Sequence, residues 1–201
     1  MYLKKTELCV LIALCLSIAL SCFDFSVKCS DIRERVFRLH ILANSDSKAD
    51  QKLKLKVRDR LLIEGLDIFG ESKNLQETIK LANENVNRFC AVATDELQKN
   101  GCDYKVFAEV SPCYFNTRTY ENDLQSATLP AGVYTALQIK IGRAKGKNWW
   151  CVMYPSLCIS SSAQKVEDVL PNDETKIVEN KDKYIVKFKV VEWFEKLKSL
   201  F

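Results

Sequence analysis

A single histidine, His40, limits the acid–base chemistry open to this chain. With His40 as general base, the nucleophile of a secreted hydrolase could be Cys151, Cys158 or Ser45. No nucleophile-elbow or cysteine-protease signature surrounds these residues. We therefore expect a protein that is not an enzyme, in which His40 ends a strand and bonds the turn at 44–47. Catalysis by His40 is the alternative.

The other charged clusters favour structural roles over catalytic ones. Asp46 and Asp50 stand at the start of a predicted helix, where negative charge suits the helix dipole. The basic loop 142–147 lacks the spacing of a phosphate-binding loop. With one histidine and no CxxC pair, a zinc site has weak support. We expect neither a metal nor a cofactor.

The cysteines and the adjacent tryptophans are the next residues that could do chemistry. Six of the nine cysteines follow residue 28, and in an exported protein they would allow up to three disulfides. Cys151 and Cys158 flank a turn that contains Pro155, so we predict a disulfide between them. The adjacent Trp149 and Trp150 must point to opposite faces of a strand, so one ring can enter the core while the other meets a partner.

The first residues have the pattern of an export segment. Lys4 and Lys5 precede an apolar run over residues 8–20, which is typical of a secretory signal. If the segment is retained, residues 8–23 could anchor the protein in a membrane. Lipidation at Cys22 is a third possibility, because the residues before it resemble a lipoprotein processing site.

Composition predicts one globular domain behind this segment. Hydrophobic residues make up 47% of the 201 residues and charged residues 28%. We divide the chain into a signal or anchor segment with a short linker, 1–30, and a single domain, 31–201. The net charge of +4 arises from 30 basic and 26 acidic residues and indicates no nucleic-acid partner.

The hydrophobic pattern changes from helical to strand-like along the chain. It predicts helices over 48–65, 75–97 and 192–201, strands over 36–43, 106–110, 133–141, 149–154 and 184–191, and irregular structure over most of 160–183. We expect an α+β fold in which two N-terminal helices pack on a mainly antiparallel sheet, preceded by the apolar export helix.

Three ordered blocks carry a family resemblance. The first runs from Arg38 to Asp59, the second from Tyr114 to Tyr134, and the third from Gly142 to Cys158. The blocks contain RLHILANSDS, YFNTRTY, LPAGVY and KGKNWWCVMYPSLC. Together they resemble the stage II sporulation protein R family.

This resemblance implies a signalling protein of endospore formation, secreted across the forespore membrane into the intermembrane space. There it would activate a membrane-embedded aspartic protease, which then processes the precursor of sigma factor E. Candidate partner-binding residues lie on the polar strand face, in its turn, in the basic loop and nearby. They are Arg38, His40, Asn44, Asp46, Arg118, Arg143, Lys145, Lys147 and Trp150.

Overall fold

The computed structural model describes residues 5–70, 72–121, 125–157 and 165–198, which form an α+β fold. The helices are α1 (Lys5–Arg33), α2 (Lys48–Phe69), α3 (Leu75–Glu84), α4 (Val86–Lys99), α5 (Asn172–Glu179) and α6 (Lys181–Lys198), with a short 3-10 turn at Val166–Asp168. The strands are β1 (Phe37–Leu42), β2 (Val106–Phe115), β3 (Arg118–Glu121), β4 (Ser126–Leu129), β5 (Gly132–Ile141) and β6 (Asn148–Tyr154).

The main sheet has four strands in the order β2-β5-β1-β6, and β3 pairs with β4 in a separate two-stranded sheet. Strand β1 runs parallel to β5, with Arg38 opposite Ala136, and antiparallel to β6, with His40 opposite Trp150. The β2–β5 pairing is antiparallel. The sheet is therefore mixed, because the central β1–β5 pair is parallel.

One face of the sheet is covered by the helices of the first half of the chain. Phe37, Leu39 and Ile41 alternate along β1 and are fully buried on this face. They share a core cluster with Val57, Leu61, Ala82, Phe89, Ala93 and Leu97 from α2, α3 and α4.

The opposite face is covered by α1, α5 and α6. Phe25, Cys29 and Ile32, on the second half of α1, are buried in a cluster with Phe188 of α6. The first half of α1 is mostly exposed and apolar, and the whole helix is long and apolar enough to cross a membrane. The division predicted at residue 30 falls inside this helix, and the division into residues 1–30 and 31–201 stays a prediction.

The structure splits the helix predicted over 75–97 into two. Asn85 leaves the helical conformation with φ −107° and ψ 12°, and its side chain donates to the carbonyl of Leu81 at 2.9 Å. The apolar stripe continues through the break, because Ala82 and Phe89 lie in the same cluster. Periodicity alone therefore did not reveal the interruption.

Two predictions for the C-terminal region were wrong, while the helix predicted from residue 192 agrees with α6 through Lys198. Residues 184–191 belong to α6 rather than a strand, and α5 forms within the stretch expected to be irregular. Alternating apolar residues suggested a strand, but Phe188 and Val191 are buried at helical spacing while Ile185 and Val186 are exposed. The β3–β4 hairpin was also missed, because its strands have only four residues each.

Candidate functional site

A cleft lies between β3 and the first half of β6. One hollow of about 230 Å³ and an adjoining one of about 350 Å³ share Arg118, Asn148 and Trp150. We call the two together the β3–β6 cleft. Its lining residues are Arg118, Thr119, Tyr120, Glu121, Lys147, Asn148, Trp149 and Trp150. Three of the predicted partner-binding residues, Arg118, Lys147 and Trp150, thus come together.

Trp150 forms one wall of the cleft. Its ring lies 5.5 Å from that of Phe115 and 6.2 Å from that of His40, centroid to centroid. The guanidinium carbon of Arg118 lies 4.9 Å from the Trp150 ring centroid, which holds an exposed cation over an aromatic face. The buried indole N–H of Trp150 has no acceptor within the described chain. The wall therefore presents an aromatic ring and an exposed guanidinium to the cleft.

Trp149 packs on the other side of β6, as expected for adjacent residues on a strand. It contacts the core cluster under α2, and the guanidinium carbon of Arg58 lies 4.3 Å from its ring centroid. Trp149 and Trp150 are both half-buried, so each has one side in the core and the other near the cleft.

Arg38 lies inside the protein rather than on the predicted surface patch. It is fully buried, and its guanidinium carbon lies 3.8 Å from the ring centroid of Phe115 and 4.7 Å from that of Tyr134. Its Nη2 donates to the hydroxyl of Tyr120, while Nε and Nη1 have no acceptor in the described ranges. Because Tyr120 lines the cleft, Arg38 positions the cleft wall from beneath without offering surface to a partner.

His40 contacts a cysteine that is not among the candidate nucleophiles. Its Nδ1 lies 3.1 Å from Sγ of Cys113, across the sheet on β2. Burial lowers the pKa of His40, the side-chain interaction with Asn148 raises it, and the charges of Lys140 and Arg38 lower it. Burial raises the pKa of Cys113. Both shifts favour a neutral thiol beside a neutral imidazole, which is not the ion pair of an activated cysteine nucleophile.

Of the three candidate nucleophiles, Ser45 and Cys151 form other bonds, and Cys158 lies outside the described residues. The hydroxyl of Ser45 donates to Asp50 Oδ2 at 2.5 Å. Cys151 is disulfide-bonded, and Cys158 lies outside the described residues, so the pairing of Cys151 with Cys158 stays a prediction.

Cysteines elsewhere in the body contribute no further disulfides. Cys29, Cys90, Cys102 and Cys113 carry free thiols. Across the described ranges, no group of three His, Cys, Asp or Glu side chains could hold a metal ion.

The turn after β1 is held together by hydrogen bonds of the Asn44 and Asp50 side chains. Asn44 is 7% exposed; its Nδ2 donates to Asp50 Oδ2 at 2.9 Å, and its Oδ1 accepts from the backbone N–H of Arg143 at 3.0 Å. The bond from Ser45, followed by the one from Asn44, holds the pKa of Asp50 below its usual value. Asn44 is therefore a structural residue that joins the turn, α2 and the basic loop.

The basic loop is also attached to the body at Lys147. Oδ1 of exposed Asp46 accepts from the backbone N–H of Lys147 at 2.6 Å. The buried Lys54 ammonium donates to the carbonyl of Lys147 at 2.8 Å. Arg143, Lys145 and Lys147 remain exposed. These bonds set the position of Lys147 at the mouth of the cleft.

Comparison with known proteins places this cleft in a family context. The family model described as stage II sporulation protein R matches residues 33–164, which contain the complete cleft. The chain belongs to the stage II sporulation protein R family. It is 30% identical over 191 residues to the stage II sporulation protein R of Bacillus subtilis strain 168, an alignment covering 84% of each chain. No solved structure matches it significantly. The family match begins at the last residue of α1 and ends before α5, so it spans the sheet and both cleft strands.

Proposed function

We propose that this chain is a secreted signalling protein of endospore formation that activates a membrane-embedded aspartic protease. In this proposal α1 directs export across the forespore membrane, and the body acts in the intermembrane space. The activated protease then processes the precursor of sigma factor E. The observation that carries the proposal is family membership over residues 33–164.

The β3–β6 cleft is the surface that we assign to the protease. It combines exposed cations, Arg118 and Lys147, with two half-buried tryptophans. Tryptophan and arginine are enriched among the residues that dominate binding energy at protein interfaces, where the partner fully removes them from water. The exposed charges are expected to speed encounter, and Trp150 is expected to slow dissociation.

Membrane attachment of the signal is part of the same proposal. The exposed apolar half of α1 would contact the forespore membrane if it is retained, and a lipid at Cys22 would serve the same purpose. Either form keeps the body close to the membrane that faces the protease.

Reconstitution in a host that does not sporulate tests this function. The full chain is co-expressed with the candidate protease and the sigma factor E precursor, and precursor cleavage is followed by immunoblot. We expect cleavage only when all three are present. Equal cleavage without the chain would refute the proposal.

Two variants in the same assay test the cleft. Arg118→Glu reverses an exposed charge at the cleft, and Lys105→Glu reverses an exposed charge that does not line it. We expect cleavage to fall about 10-fold with Arg118→Glu, equivalent to about 1.4 kcal/mol of binding, and to stay at the wild-type level with Lys105→Glu. Equal losses would show a general charge effect.

The hydrolase alternative is tested by His40→Gln. Loss of precursor cleavage with normal protease binding and unchanged folding stability would favour catalysis by His40. A loss that follows stability would favour the structural role.

A further inference from the structure

Helix α6 has two apolar faces, and only one of them is covered. Phe188 and Val191 are buried in the cluster that contains Phe25 of α1. At 100° per residue, the opposite side of α6 carries four large apolar side chains that are between 42% and 71% exposed. We call these four residues the α6 stripe: Val186, Val190, Trp193 and Leu197.

The spacing of the α6 stripe is that of a coiled-coil seam. Successive members are four, three and four residues apart, which places Val186 and Trp193 at d positions of a heptad repeat. Val190 and Leu197 then occupy a positions. Single exposed apolar residues are ordinary on a protein surface, but a continuous exposed row along a helix marks an interaction site. The stripe therefore predicts a partner that is itself a helix with an apolar seam.

Helices α1 and α6 run in the same direction. Phe25 of α1 packs on Phe188 of α6, with ring centroids 5.3 Å apart. Farther along both helices, Nη2 of Arg33 lies 3.4 Å from Oε1 of Glu195. The N-terminal end of α6 is therefore the end nearer the exposed apolar half of α1. Two copies whose α1 helices enter one membrane from the same side can bring their α6 helices together in parallel.

The residues beside the stripe suit a parallel pair of α6 helices. In such a pair, each g position of one helix faces an e position of the other. Asp182 then faces Lys187 of the second copy, which gives an attractive charge pair. The Lys187 ammonium donates to Ser21 Oγ at 2.8 Å and keeps two further N–H groups for this carboxylate. Lys189 faces the uncharged Phe194, so no like charges meet at these positions.

An antiparallel pair is less favourable. The g positions of the two helices would then face each other, which brings Lys189 next to Lys196 of the second copy. Lys183 stands at the a position before the stripe, where a single lysine lowers stability but specifies register. The charges therefore favour the same parallel direction that entry of both α1 helices into one membrane requires.

We propose that the α6 stripe binds the same stripe of a second copy of this chain, giving a parallel, two-fold symmetric dimer anchored in one membrane. The inference goes beyond the proposed function and takes from it only the retention of α1 in a membrane. Two heptads make a short seam, so the dimer is weak in solution. Confinement of both copies to one membrane raises their effective concentration and strengthens it.

Energy transfer between labelled copies in liposomes measures this dimer. Full chains carrying a donor or an acceptor on a C-terminal tag are reconstituted together at falling protein-to-lipid ratios. Trp193→Glu places a charge in the seam, and we expect it to raise the dissociation constant at least about 10-fold. Ile63→Glu makes the same change at a 60% exposed apolar residue of α2, and we expect wild-type transfer. Equal transfer for wild type and Trp193→Glu would overturn the proposal.

Disulfide trapping tests the direction of the pair. In a parallel pair the d positions of the two helices meet, so oxidation should join two copies of Val186→Cys beyond the background of the native cysteines. Ile63→Cys, on α2, should remain at that background. Preferential joining of Val186→Cys to Leu197→Cys would show an antiparallel pair and overturn the proposed arrangement.

Other occupants of the stripe give different results. Quenching by brominated lipids of the fluorescence that Trp193→Phe removes, without energy transfer, would identify the lipid surface as the occupant. Loss of protease binding by Trp193→Glu, with no energy transfer in the wild type, would assign the stripe to the protease. Either result would overturn the dimer and leave the signalling function standing, because cleavage of the precursor is measured separately.

Discussion

The second half of α1 provides the sharpest test of where the folded body begins. Phe25 is 2% exposed, and its ring lies 5.5 Å from that of Tyr184 and 5.3 Å from that of Phe188. Phe23, two residues earlier on the same helix, is 70% exposed. Phe25→Ala removes a buried ring, whereas Phe23→Ala removes an exposed one from the same helix.

The expected magnitudes differ widely. Truncating a buried phenylalanine costs about 3–5 kcal/mol through lost burial and the cavity left behind. With an m-value of about 2 kcal/mol per molar urea, a loss of about 4 kcal/mol lowers the unfolding midpoint by about 2 M. We expect Phe23→Ala to change the free energy of unfolding by no more than about 0.5 kcal/mol.

Urea unfolding of the full chain in detergent micelles provides the measurement. Fluorescence of the half-buried Trp149 and Trp150 reports exposure of the body, and helical circular dichroism supplies a second probe. Equal midpoints for the Phe25→Ala and Phe23→Ala variants would refute the reasoning, because the second half of α1 would then contribute nothing to the folded body.

Three further predictions concern the sheet and the turn after β1. Because the pKa of His40 is lowered in the fold, its contribution to stability is complete above the unfolded pKa of about 6.5 and is lost as pH falls below it. The urea midpoint of the wild type should therefore drop between about pH 7 and pH 5 by more than that of His40→Gln. Parallel pH curves for the two proteins would contradict this. Gly142 has φ +58°, and an added Cβ would lie 2.5 Å from Oδ1 of Asn44, so Gly142→Ala should lower the thermal midpoint by an amount equivalent to about 2 kcal/mol or more. The control, Gly101→Ala, has φ +70° but no atom within 4 Å of the added Cβ, so it carries the backbone strain alone and should cost less. An equal cost for the two variants would exclude the clash with Asn44. Since the pKa of Asp50 is lowered by the hydrogen bonds it accepts, its contribution to stability is present above about pH 4 and is lost as pH falls further. Asp50→Asn should destabilise the fold by about 1–3 kcal/mol at neutral pH and flatten the acid unfolding curve followed by circular dichroism. An unchanged acid unfolding curve would assign the acid sensitivity to other carboxylates.

The sequence pattern predicted the secondary structure correctly where a single hydrophobic period dominated. The alternation of Phe37, Leu39 and Ile41 predicted β1, and the Asn44–Ser47 turn followed by α2 agrees with the helix-start signal. The pattern failed in α6, where an exposed apolar row and a buried one overlap. A sequence window records that residues are apolar, but whether each is buried depends on the neighbouring elements.

The candidate site depended on contacts that no local pattern contains. Arg118 reaches Trp150 through the β3–β6 arrangement, and Cys113 reaches His40 across 73 residues of chain. The sequence singled out Arg118 and Trp150 individually but could not place them together. It also could not bury Arg38, because the aromatic rings around that side chain come from β2, β3 and β5.

The unbroken course of α1 has a consequence for any cleavage of the export segment. A peptidase that removed the export segment near residues 19–22 would need that stretch extended in its active site, yet the following residues are held in a helix by Phe25 and Ile32 in the core. Once the body has folded, unwinding this stretch would disturb the packing of the second half of α1 against the core. If a peptidase does cleave there, processing and folding compete in time, and the faster of the two decides whether the folded body is released from α1 or stays attached to it.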